Sequence, residues 1–150
     1  MCVGEECLVY HVSNADQRSV KLHPFLQNWH YTFAGFDIIN DQNCLSLSGM
    51  YISNFKDIQR IWRDPDNKKR KQGLKDVAAA IIDVYYKNMK DGFGDAEHRI
   101  WAAAPLPLKH LEYAARDAYT AYELYRRLDL FERGFFSLFK NPVKKRNRDW

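Results

Sequence analysis

At 150 residues, with 46% hydrophobic and 15% aromatic content, the chain has the size and make-up of one folded domain, which excludes wholesale disorder. No uninterrupted apolar run approaches the ~20 residues a membrane span needs. Glu5 and Glu6 stand where a secretory signal would carry basic residues, so a nuclear or cytoplasmic protein, neither secreted nor membrane-bound, is expected. The net charge of +4 is mild but clustered, in Lys68-Lys69-Arg70-Lys71 and in the stretch from Lys140 to Arg148 that includes Lys144, Lys145 and Arg146. Such clusters suit a phosphate backbone or a nuclear import signal, and equally a solvated loop and tail. Cys2, Cys7 and Cys44 are odd in number and lack metal-ligand spacing, which fits reduced thiols.

In chain order, Met1-Cys2-Val3 and Cys7 to Val12 read as two short strands joined by a turn at Gly4-Glu5-Glu6. Ser13 to Arg18 is polar and rich in turn formers. A short helix should follow and end near Trp29, with Pro24 tolerated in its first turn. Tyr31 to Ile39 is almost continuously apolar, aromatic and β-branched, which predicts a strand buried on both faces. Gly35 within it suggests close approach by another element. Asn40-Asp41 would then stand at the carboxyl end of that strand, where open α/β sheets place ligands. Gln42 to Asn54 is interrupted by Ser and Gly and carries no helix signal, and Phe55 to Trp62 is ordered without a clear type. Asp64 to Gln72 reads as a charged loop, Gly73 to Lys87 as an amphipathic helix, and Lys90 to Asp95 as a glycine-rich turn.

The final helix is predicted from about Leu106 to Leu130. Leu111, Ala114, Ala115, Ala118, Ala121, Tyr122, Tyr125 and Leu128 form its apolar stripe, and Glu112, Arg116, Glu123 and Arg127 its polar side. Tyr113 and Asp117, four residues apart, share one face and flank that stripe away from the other charges. None of the five histidines shows ligand spacing; His110 is three residues before Tyr113.

Three stretches carry a resemblance to a known family. Cys2-Val3-Gly4 with Cys7-Leu8-Val9-Tyr10 is similar to its second and third strands. Phe33 to Gln42 is similar to its second motif, with Asp41 at the metal-ligand position and Asp37 in reserve. Trp101, Leu106 and Tyr113-Ala-Ala-Arg-Asp117-Ala-Tyr119 resemble its third motif. The chain thus resembles the 3′–5′ exonucleases of the DEDD-y class, particularly the Werner-like exonuclease domains of plants, over about residues 1–132, with 133–150 as an aromatic, then basic tail.

The resemblance implies an α/β, ribonuclease H-like fold and two-metal phosphodiester hydrolysis at nucleic-acid 3′ ends. Mg²⁺ or Mn²⁺ would be held by Asp41 and Asp117, and Tyr113 would place the attacking water. It implies nucleic acid as the partner, with the two basic clusters as candidate contacts. Two departures stand out. His110 and Pro107 replace a glutamine and a small hydroxyl residue common in relatives. The family's first motif, an Asp-x-Glu on the first strand, would precede Met1, and nothing after Met1 replaces it. The implied domain is therefore truncated at its N-terminus, with an incomplete mixed sheet. Removing even one well-placed stabiliser costs ~10²–10³-fold in rate, so residues 1–150 are expected to be catalytically silent or nearly so. The alternatives are a non-catalytic nucleic-acid-binding module, or one that self-associates through its open sheet.

Overall fold

A hairpin forms, but its second strand is Glu6–Cys7 and not Cys7–Val12: Glu6 pairs with Val3 instead of sitting in the turn, and Val12 opens a 3₁₀ turn over Val12–Asn14. Strand β1 (Cys2–Val3) pairs antiparallel with β2 (Glu6–Cys7), with Cys2 opposite Cys7 and Val3 opposite Glu6. Gly4, at φ +59°, supplies the left-handed residue of the turn. The structure, a computed structural model, describes residues 1–15, 20–62 and 72–132. Helix α1 (Leu22–Gln27) buries Leu26 and carries Pro24 in its first turn, where a backbone N–H would have no helical partner.

The expected strand over residues 31–39 is a correction. Only β3 (Phe33–Gly35) is extended, and helix α2 (Ile38–Leu47) begins three residues later. Asp37 turns the chain between them at φ +60°, a left-handed conformation that Asp tolerates better than most residues. Gly35 is needed because α2 folds straight back over it: a Cβ there would lie 3.0 Å from the Ile38 Cβ. The close approach is real, and it comes from the next element in the chain.

Residues 42–54, expected to lack a helix, contain most of α2. Its serine and glycine end the helix instead of preventing it. Gly49, at φ +70°, donates its N–H to the Ser46 carbonyl at 2.9 Å, and Met50 donates to the Leu45 carbonyl at 3.1 Å. That pair of bonds is a complete Schellman termination, with buried Met50 as its apolar anchor.

The segment of uncertain type is both types in succession. Strand β4 (Phe55–Asp57) pairs parallel with β3, placing Phe33 against Phe55 and Gly35 against Asp57. Helix α3 (Ile58–Ile61) follows at once, capped by the Asp57 carboxylate. The helix expected over 73–87 divides: α4 (Leu74–Ile81) stops at Ile82, and Asp83 caps a separate 3₁₀ turn over Val84–Asn88.

Helix α5 (Leu108–Glu132) is the long element, and it packs against α3, α4 and both β1 and β3. Ala121, Leu124 and Leu128 from α5 join Ile58, Leu74, Val77, Ala78 and Met89 in the core. Leu124 and Thr120, absent from the predicted stripe, are fully buried, so the buried face of α5 is rotated toward Asp117. Thr120 is tolerated there because its hydroxyl donates to the Arg116 carbonyl at 2.7 Å. The strands do not make one mixed sheet. Among the described residues they form two separate pairs, β1–β2 and β3–β4.

Candidate functional site

Helices α2 and α5 each place an acid on the wall of one cavity. Asp41 in the first turn of α2 and Asp117 in α5 both line a cavity of about 440 Å³. Its walls are apolar: Met1 and Leu8 beside the hairpin, Phe33 to Phe36 from β3 and the turn after it, and Ala118 and Ala121 from α5. Although the Asp41 residue keeps an exposed face, burial of its carboxyl raises its pKa, and the neighbouring charges of Asp37 and Asp57 push it further the same way. Asp37, the reserve candidate, stands at the left-handed turn and does not line the cavity.

Asp57 holds this corner together. It is 8% exposed, and its Oδ1 accepts the Asp37 backbone N–H at 3.1 Å and the Gln59 N–H at 3.0 Å. One oxygen therefore ties the turn before α2 to the start of α3. The Arg60 guanidinium lies 3.6 Å from the other oxygen.

On α5, Tyr113 lies one turn before Asp117, as the spacing predicts. Its ring stacks on Phe93 with centroids 3.9 Å apart, and Trp101, His98 and His110 complete an aromatic cluster. His110 is 1% exposed; its Nε2 reaches the Glu97 carbonyl at 2.9 Å, while its Nδ1 has no partner. Trp101 packs within this cluster, and the Trp62 indole N–H donates to the Gln72 side-chain oxygen at 3.1 Å.

Lys90, which the sequence places in a glycine-rich turn, reaches the same place. Its ammonium lies 3.0 Å from the Asp117 Oδ2 and 5.1 Å from the centre of the Tyr113 ring. Burial alone would lower the Lys90 pKa; hydrogen bonds to Tyr113 and Asp117, with the charges of both, outweigh it and raise the pKa. The lysine is therefore a permanent cation. No signal in the sequence marks it, because its partners lie 23 and 27 residues away on another element.

The acids present do not fit a two-metal centre. Among the described residues no group of three or more His, Cys, Asp and Glu side chains is placed to hold an ion. The chain does contain one Asp-x-Glu triplet, Asp95-Ala96-Glu97, which sequence reasoning missed. It sits in a turn and a 3₁₀ segment, and Lys109 holds Glu97 at 2.6 Å, so it adds no ligand beside Asp41 and Asp117. The candidate nucleic-acid contacts Lys68, Lys69, Arg70, Lys71, Lys144, Lys145 and Arg146 lie outside the described residues.

A sequence model described as 3′-5′ exonuclease matches residues 1–130. The chain belongs to the 3′-5′ exonuclease family. No curated protein and no solved structure matches it. Membership in the exonuclease family brings nucleic acid as the substrate class, and the mixed α/β architecture agrees with it. No helix among the described residues is long and apolar enough to cross a membrane.

Proposed function

We propose that residues 1–132 are a ribonuclease H-like domain of the DEDD-y class, similar to Werner-type exonucleases of plants, whose cavity receives the 3′ end of a nucleic-acid strand. One observation carries the reading. Asp41 and Asp117, from helices far apart in the chain, line the same cavity, with Tyr113 one turn before Asp117. In this reading Asp41 and Asp117 mark the place of the terminal phosphodiester, the Lys90 ammonium beside Asp117 is the cation that meets it, and Tyr113 is the counterpart of the family's water-placing phenol. A pair of divalent ions of the family type needs oxygen ligands from several side chains, and two acids with a lysine on one of them are too few to hold that pair. The expected behaviour of residues 1–150 is therefore binding of single-strand termini without efficient hydrolysis.

Among the described residues the two strand pairs are separate, and apolar residues of both, Met1 and Leu8 by the hairpin and Phe33 and Ala34 of β3, line the cavity.

The test uses a 3′-labelled single strand with Mg²⁺ or Mn²⁺ present. Salt-sensitive binding without nucleotide release is expected, the salt slope reporting the phosphates contacted. Efficient release that disappears in Asp117→Asn would show that the two acids suffice. No binding at low salt would sink the nucleic-acid reading.

A further inference from the structure

The segment carrying Lys90 is fastened to α5 at three points within about one turn of each other. Phe93 stacks on Tyr113 at 3.9 Å between centroids. The Arg116 Nη1 donates to the Met89 carbonyl at 3.0 Å. Lys90 itself reaches Asp117 at 3.0 Å. Met89 is buried in the core, so the backbone that presents the lysine is anchored on its other side as well. The ammonium is thus a built partner of Asp117, which lines the cavity, and not a stray surface contact. It has two favourable partners, a carboxylate and an aromatic face, both of which prefer a cation.

A divalent ion on Asp117 would sit about 2.0–2.5 Å from a carboxylate oxygen. With the ammonium 3.0 Å from the Asp117 Oδ2, two cations would compete for one acid at short range. Asp41 is the other acid of the cavity, and among the described residues no third ligand completes a cluster there.

We infer that Lys90 is the resident cation of this cavity, occupying Asp117 in place of a divalent ion, so that the cavity takes up a metal only when the lysine is removed. The inference rests on reading Asp117 as a site residue. It concerns ion occupancy and does not require that a strand be bound.

Mn²⁺ titrated into the full 150-residue protein and followed by the loss of the free-ion paramagnetic resonance signal tests it. The native protein and Lys90→Arg should show no saturable uptake. Lys90→Met, with its fold checked by circular dichroism and melting, should gain one site at least tenfold tighter, lost again in Lys90→Met/Asp117→Asn. Saturable uptake by the native protein that Asp117→Asn abolishes would overturn the inference, whatever the Met variant does. A folded Lys90→Met protein that gains no site would overturn it too. Fluorescence anisotropy of a labelled single strand, measured on the same proteins without metal, reports the nucleic-acid reading separately.

Discussion

Asp57 offers the sharpest way to separate a structural acid from a chemical one. Replacing it with alanine deletes the oxygen that accepts two backbone N–H groups, from Asp37 at 3.1 Å and Gln59 at 3.0 Å. The Gln59 bond is the cap of α3, and loss of such a cap costs about 1 kcal/mol. The Asp37 donor is part-buried and would be left unpaired, costing about 1–3 kcal/mol more. Asp57→Ala should therefore destabilise the protein by about 2–4 kcal/mol. Asp57→Asn keeps an oxygen acceptor at the same place and loses only the charge. The Arg60 side chain facing that charge is 69% exposed and can turn to solvent, so the asparagine variant should stay within about 1 kcal/mol of the native protein. Urea unfolding followed by circular dichroism, compared at the midpoint with an unchanged slope, measures both. If asparagine were as damaging as alanine, the carboxylate charge and not the acceptor would be what holds the corner, and the hydrogen-bond reasoning would fail. The result also bears on the cavity, because Asp57 is one of the two charges that hold the Asp41 carboxyl above its ordinary range.

Three other outcomes are expected. Gly35→Ala would push a Cβ to 3.0 Å from the Ile38 Cβ and 3.1 Å from its Cγ1 and Cδ1, and should cost about 1–3 kcal/mol in the same unfolding assay; a change under about 0.5 kcal/mol would mean that α2 shifts freely. The hydrogen bond from Arg126, followed by burial acting in opposition and then by the charges of Arg126 and Arg127, leaves the Glu123 pKa lowered. Its contribution is present above the unfolded value and is lost as pH falls through the folded one. Glu123→Gln should cost at most about 1 kcal/mol at neutral pH and nothing once both forms are protonated at acid pH, read as two stability–pH curves that converge. The Cys2 thiol is pushed up to about 11, first by burial and then by Cys7, so at pH 8 only about one in a thousand is thiolate. Iodoacetamide with peptide mass spectrometry should label exposed Cys44 well before Cys2, and equal rates would contradict the burial of Cys2.

The parts of the fold that can be read from the sequence are those whose cause is local. The hairpin follows from a glycine that turns the chain between two short runs, and α5 from apolar spacing sustained over many turns. The failures have local causes too, but competing ones. The run Tyr31 to Ile39 has strand composition throughout, yet its second half starts a helix, because Asp37 can adopt a left-handed turn and Gly35 lets α2 fold back over the strand. Composition alone cannot distinguish a buried strand from a strand and a buried helix start. The serine and glycine after residue 42 look like helix breakers, whereas Gly49 and Met50 are the two residues a Schellman termination needs. The break at Asp83 is hidden for the opposite reason: Val77, Ala78, Ile81, Ile82 and Tyr85 continue the apolar period across it, while the Asp83 side chain caps a new turn at the Tyr85 N–H.

The candidate site shows a different division. Asp41 stands out in the sequence as the end of a strand and lies instead in the first turn of a helix, on the wall of the cavity that Asp117 also lines. The strand is only three residues long, so a turn of two residues carries the chain into α2 before Asp41 is reached. Tyr113 and Asp117 are legible because a four-residue spacing fixes their relation on a helix whatever surrounds it. Lys90, Phe93 and Asp57 are not, since each acts on a partner from another element and none repeats with any period. These three set what the acids can do: Asp57 fixes the turn that presents Asp41, Phe93 holds the Tyr113 ring, and Lys90 neutralises Asp117. The motifs in this chain mark Asp41, Tyr113 and Asp117; the intervening loops set their charged partners and their freedom, so the ion that Asp117 holds depends on a turn no motif describes.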